Sequence, residues 1–277
     1  MKAKLFDYVA RDNVIYNLSG LTKILCFLLL TGSAMFSYDI RFIISLMLFS
    51  IIMLRFSEIT FSQIRLMVIY VAVFLTINFF LTYLFSPEYA VEIYGTKHVL
   101  FTFVGHYTVT SEQLLYLITK LFKYACVVPL GIIFFLSTNP SEFAASVNRI
   151  GIPYKVAYAF SLTLRYFPDI IRDYSDISVA QQCRGLDLSK KEKLSVRIKN
   201  TMTICIPLVF STLDRIEMIS NTMELRSFGK EKNRTWYCAR PLQKNDFFAL
   251  FFSTLILMIS LYITIFVNHS RFYNPFI

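Results

Sequence analysis

Two stretches of the chain, Leu66 to Phe85 and Phe247 to Val267, run without a charge for the length of a bilayer crossing. A helix rises about 1.5 Å per residue and the hydrocarbon core is about 30 Å thick, so each is predicted to span. A third stretch, roughly Leu114 to Leu136, is nearly as apolar but holds Pro129, Gly131, Lys120 and Lys123. Those lysines are expected against other protein or near a headgroup layer. Ile24 to Tyr38 and Phe42 to Leu54 are also free of charge, but both fall short of that length. They span if Lys23, Arg41 and Arg55 snorkel or if the helices run on into polar ends; otherwise they form a re-entrant hairpin. The pattern predicts an all-α polytopic membrane protein with about five transmembrane helices.

Between residues 138 and 246 the pattern changes from continuous to periodic. Asn139 or Ser141 is placed to cap a short helix that runs to about Ile150, closes at Gly151 and is followed by Pro153. From Tyr154 to Cys183, Val156, Phe160, Leu164, Phe167, Ile171, Tyr174 and Ile177 recur at helical spacing. They predict one amphipathic helix about 45 Å long, kinked near Pro168 and ended by Cys183-Arg184-Gly185. A charged turn, Asp187 to Lys193, leads to a second long helix from about Leu194 to Ser227. Its stripe is Met202, Ile206, Val209, Leu213, Ile216, Ile219 and Met223, its break Pro207, and its end Leu225-Arg226-Ser227-Phe228-Gly229. Kinked rods of this length fit crossing along a membrane face better than folding onto one core, which leaves Arg184 and Arg226 free to touch something else. The expected organisation is 1–137, a membrane domain of four spans; 138–246, two long crossed helices plus a short one; and 247–277, a final span and tail.

Composition narrows the function. With 56% hydrophobic and 17% charged residues among 277 and a mean hydropathy of +0.54, an all-soluble enzyme, a disordered chain and a fibrous repeat are excluded. A net charge of +10 would suggest nucleic acid in a soluble protein. Here the basic residues gather in particular loops: Lys2, Lys4, Arg11 and Lys23 before the first span, Arg55 and Arg65 after the second, and 17 of 28 Lys and Arg against 10 of 18 Asp and Glu within 140–245. The positive-inside bias puts these segments and the N-terminus in the cytoplasm of a cell-membrane protein, with no nucleic-acid partner. Residues 86–113, with Glu88, Glu92 and Glu112 against Lys97, then fall outside, as does the C-terminus. The first apolar run begins well inside the chain and ends in no cleavage pattern, so it is expected to stay as an anchor.

Resident chemistry is sparse. Cys26, Cys126, Cys183, Cys205 and Cys238 form no C-x-x-C pair, so neither a disulfide nor a zinc site is expected. His98, His106 and His269 are scattered, and no H-E-x-x-H, G-x-S-x-G or Walker loop occurs, so no cofactor or ATP site is expected in this chain. Gly32 and Ser33 suit close helix packing. Asp169, Asp173 and Asp176 permit a metal-diphosphate reading, but at helical spacing pairing with Arg165, Arg172 or a basic partner explains them as well.

In their order and spacing, Thr138-Asn139-Pro140, Gly151-Ile152-Pro153, Leu164-Arg165-Tyr166-Phe167-Pro168, Ala180-Gln181-Gln182-Cys183-Arg184-Gly185, Ile206-Pro207-Leu208, Met223-Glu224-Leu225-Arg226 and Arg234-Thr235 resemble the transmembrane, or T, component of energy-coupling factor transporters. These are ABC-type importers with separate substrate-binding membrane proteins. The likeness covers most of the chain and is strongest over 138–236. It implies a non-catalytic subunit whose two crossed coupling helices end in short Ala-Arg-Gly motifs that dock into two cytoplasmic ABC ATPases. A small membrane S component would bind the vitamin or metal ion. The docking residues would be Cys183, Arg184, Gly185, Leu225, Arg226, Ser227 and Gly229, with kinks at Pro168 and Pro207. Both alanines are enlarged here and the second glycine is displaced along the chain, which leaves the geometry of the second tip open. The rival readings are a lipid or prenyl transferase using Asp169, Asp173 and Asp176, and a conventional ABC permease.

Overall fold

A computed structural model describes residues 11, 13–102, 108–186, 194–231, 235–268 and 270–275. Lys2, Lys4, His106, the charged turn 187–193, Arg234 and His269 lie outside these. The elements are α1 (Val14–Asn17), α2 (Gly20–Phe36), α3 (Ile40–Phe56), α4 (Phe61–Phe85), α5 (Tyr89–Tyr94), β1 (Val99–Thr102), β2 (Thr108–Thr110), α6 (Ser111–Ser137), α7 (Pro140–Arg149), α8 (Tyr154–Cys183), α9 (Leu194–Leu225) and α10 (Lys244–Tyr262). The chain is all-α apart from the short antiparallel pair β1 and β2. It divides into two compact units, 1–139 with 240–277, and 140–239.

In the first unit, three of the described helices are long and apolar enough to cross a membrane: Ile64–Phe85, Ser111–Ser137 and Lys244–Val267. The other two expected crossings, α2 and α3, are 17 residues each, about 25 Å. α6 is central and packs on α2, α3 and α4, while α2 also packs on α10. Lipid offers helices no hydrophobic drive to associate, so close contact and polar bonds hold them together. Ala34 and Cys126 are fully buried with Leu30, Leu46 and Leu130 where α2, α3 and α6 meet, and Gly32 faces Leu257 on α10.

The lysines of α2 and α6 find their partners within the protein. Lys23, buried in the first turn of α2, donates to the carbonyls of Tyr16 at 3.0 Å and Ser137 at 2.8 Å, the latter the last residue of α6. Lys123, buried in mid α6, donates to the Met35 carbonyl at 2.7 Å, at the end of α2, and lies 3.4 Å from the Tyr38 ring centroid. Each helix of the pair thus supplies a cation to the other's C-terminus, where the unpaired carbonyls concentrate negative potential. Because α2 is the shorter, its end falls opposite the middle of α6, which accounts for a lysine halfway along an apolar helix. Lys120 bonds Thr82 of α4 at 2.8 Å, so both α6 lysines face protein.

Asp246 joins two helix starts. Its carboxylate accepts from the Gln243 amide at 2.7 Å, closing a capping box on α10, and from the Ser19 amide at 2.8 Å at the N-cap of α2. At the far end of the same helix pair, Ser260 donates to the Ser33 carbonyl at 3.0 Å. The starts of α2 and α10 and the end of α6 therefore share one end of the unit, and the chain leaves it after Asn139 and returns at Arg240, which donates to the Tyr16 carbonyl at 3.2 Å.

In the second unit α7 packs on α8, and α8 on α9. Pro140 is the first residue of α7, which makes Asn139 the capping position. The apolar stripes are not what joins α8 to α9. Val156, Phe160, Phe167 and Ile171 of α8 and Met202, Ile206, Val209 and Leu213 of α9 are all exposed, whereas Ala157 and Ile204 are buried. Each helix runs on past its proline, although Pro168 and Pro207 each remove one backbone donor from the ladder.

Candidate functional site

The two long helices end in the same hydrogen-bond pattern. At the first tip the Leu186 amide donates to the Gln181 carbonyl at 3.1 Å and the Gly185 amide to Gln182 at 3.0 Å. These are the six-to-one and five-to-two bonds of a Schellman cap, and Gly185 takes the left-handed backbone it needs, φ 89°. At the second tip Phe228 donates to Met223 at 2.9 Å and Ser227 to Glu224 at 2.9 Å. Ser227 occupies the left-handed position at φ 55°.

The geometry that the motif Leu-Arg-Ser left open is thus the same as that of Cys-Arg-Gly: Arg184 and Arg226 each hold the residue before the left-handed one. Gly229 serves a different need. It sits at φ 93°, and a β-carbon there would meet the Lys155 side chain at 3.4 Å. Serine in the left-handed region carries a strain of about 1 kcal/mol, which a β-branched residue would raise. Ser227→Gly is therefore expected to keep the thermal midpoint, and Ser227→Val to lose about 1–2 kcal/mol; equal midpoints for Val and the parent chain would count against this cap.

Cys183, Arg184, Gly185, Leu225 and Arg226 are exposed, Leu225 to 85%. Among the described residues neither arginine's side chain takes part in a hydrogen bond or ion pair. An arginine at a helix C-terminus is favoured by the dipole, and its planar fork stays charged and can bond carboxylates or carbonyls in two places. The second tip is anchored by aromatic stacking. Phe228 packs on Tyr158 at 4.8 Å and Tyr154 at 5.7 Å between centroids, and Tyr158 meets Trp236, whose indole donates to Asn148 at 3.0 Å. Trp236 is thereby tied to α7.

Two of the three aspartates of the run face arginines, and Asp176 is exposed. Asp169 lies 3.4 Å from Arg172 one turn on, with the Arg172 side chain largely in solvent and that of Asp169 partly covered. Asp173 accepts from Arg215 of α9 at 2.5 Å, with both side chains half-buried. Arg215 escaped the reading by motif. The available signal was spacing: it follows Asp173 by the same interval that separates Arg226 from Arg184.

Residues 12–237 match a protein family described as cobalt transport protein, CbiQ. Among curated proteins, the chain is similar to the energy-coupling factor transporter transmembrane protein EcfT of Lactococcus lactis, 25% identical over 59% of this chain and 64% of that one. The EcfT of Leuconostoc gelidum is 28% identical over 53% of this chain and 58% of its own length. The chain thus spans less than two thirds of these two relatives. The match to EcfT of Clostridium kluyveri, at 25% identity, extends over 92% of this chain and 94% of that one.

Proposed function

The chain belongs to the CbiQ family of cobalt transport proteins, the family of the energy-coupling factor T components, and from that premise we propose that it is the coupling subunit of an importer, converting ATP-driven movement of two cytoplasmic ABC ATPases into movement within the membrane. Cys183, Arg184 and Gly185 dock one tip, and Leu225, Arg226, Ser227 and Gly229 the other. Pro168 and Pro207 are where the rods bend. The segment 138–246 is the coupling module, on the cytoplasmic side with the N-terminus, while 1–137 and 247–277 form the membrane part and the C-terminus lies outside. A small membrane S component holds the substrate, a vitamin or metal ion. This chain catalyses nothing and carries no cofactor; ATP is hydrolysed on the partners.

The observation behind this reading is that two exposed arginines occupy equivalent positions in matching helix caps. The outward apolar stripes of α8 and α9 add support, since they suit a bilayer face or a membrane partner better than water. Mild detergent extraction of the affinity-tagged chain from its own cells tests the proposal. The expected result is co-purification of two ABC ATPase chains and a small, very apolar membrane protein. A solitary chain with metal-dependent transferase activity, lost in Asp173→Asn, would replace it with the enzyme reading, and ATPases without the small subunit with a conventional permease.

A further inference from the structure

The exposure of both apolar stripes leaves α8 and α9 joined over a narrow strip. Along it runs a groove of about 490 Å³, walled by Thr163, Tyr166 and Ile170 on one side and Thr212, Arg215 and Ile219 on the other. With Leu162, Ile216 and Met223, these side chains resist separation of the two rods, but along the groove they hold axial register weakly, because adjacent ridges and grooves are nearly equivalent under a one-turn slip of about 5.4 Å; at the end of the groove Phe228 stacks on Tyr154 and Tyr158 of α8. The ion pair between Asp173 and Arg215 is specific to one register. Its 2.5 Å contact is lost in any such slip, and its half-buried setting makes an unpaired charge costly there, unlike the exposed pair of Asp169 and Arg172.

The pair also stands at equal distance from both tips. Arg184 follows Asp173 by the same interval as Arg226 follows Arg215, about three helical turns or about 16 Å in each case. We infer that Asp173 and Arg215 are positioning residues that, together with the Phe228 stack on Tyr154 and Tyr158, pin the register of α8 against α9, so that the two arginine tips are held at a fixed separation and a push on either moves the pair of rods together instead of sliding one along the other. The inference rests on the docking reading for its use in transport, but the pin itself is a property of this chain alone. Arg172 cannot substitute for Arg215, because it lies on α8 and bonds Asp169.

The test uses the full-length chain in lipid nanodiscs, without ATPases or substrate. Spin labels are attached at the native Cys183 and at Leu225→Cys, with the other cysteines replaced by serine, and the distance distribution between the tips is measured. The parent chain is expected to give one narrow distribution. Asp173→Arg or Arg215→Asp alone is expected to widen it about twofold, and the two reversals together to restore the parent width, the coupling that a direct ion pair requires. Should a single reversal fail to accumulate in the membrane, Asp173→Asn and Arg215→Gln take its place, with the same widening expected. Single variants as narrow as the parent, or a double reversal as broad as the singles, overturn the pin. Because no ATPase is present, failure of the ATPases to co-purify with the parent chain bears on docking and leaves this measurement standing.

Discussion

A chain carrying Arg184→Ala and Arg226→Ala together is expected to retain no ATPase on purification and to support no substrate uptake, with its helix content and membrane insertion unchanged. The asymmetry follows from where the side chains lie. Both arginines are exposed and their side chains take part in no bond among the described residues, so truncating them alters the chain's own stability by about 0.5 kcal/mol or less each. Inside an interface an arginine anchor is typically worth about 2 kcal/mol or more. Two anchors on two motors then amount to about 4 kcal/mol, or nearly a thousandfold in affinity. Each single alanine variant is expected to weaken retention about thirtyfold, and lysine at either position to rescue poorly, because a point charge does not reproduce the bidentate fork. Undiminished uptake and retention in the double variant would show that the tips are not the contact.

Asp246→Ala is expected to destabilise the first unit by about 2–4 kcal/mol, read as a lowered thermal midpoint in detergent, with a matching loss of yield. The carboxylate is only 1% exposed and accepts amides from Ser19 and Gln243 at the starts of two helices. Alanine leaves the Ser19 amide buried without a partner, uncaps the partly covered Gln243 amide and removes a negative charge from between two positive helix ends. Asp246→Asn keeps one good acceptor and should lose about half as much. An alanine variant within about 1 kcal/mol of the parent would show that water replaces the carboxylate.

The parts of the fold set by local chemistry were readable in the sequence. Long apolar runs announced α4, α6 and α10, helical spacing announced α8 and α9, and Gly185 marked the end of α8. Ser227 was harder, because a left-handed serine has no signature of its own; the matching position of Arg226 after a similar stripe was the only hint. The partners of Lys23, Lys123 and Arg215 were out of reach for a different reason. Each bond depends on which residue the packing of two helices brings opposite, and Lys23 meets a carbonyl 114 residues away. Residues 86–113 read as an acidic loop, yet Glu112 is turned inward and fully buried, accepting from the His98 amide at 3.0 Å and lying 2.7 Å from its ring nitrogen. A charge count gives no direction to a side chain.

The unequal lengths of the helices in the first unit bear on the lipid around it. α3 turns Leu48, Ile51 and Ile52 outward from a rod of about 25 Å, and α4 turns Tyr70, Phe74, Ile77 and Leu81 outward from one of about 37 Å. A leaflet of constant thickness cannot match both walls, since mismatch has to be relieved by tilt, thinning or thickening. Where these two walls meet lipid, the long one of α4 calls for tilt or local thickening and the short one of α3 for local thinning, so different flanks of the same unit make opposite demands on the acyl chains beside them.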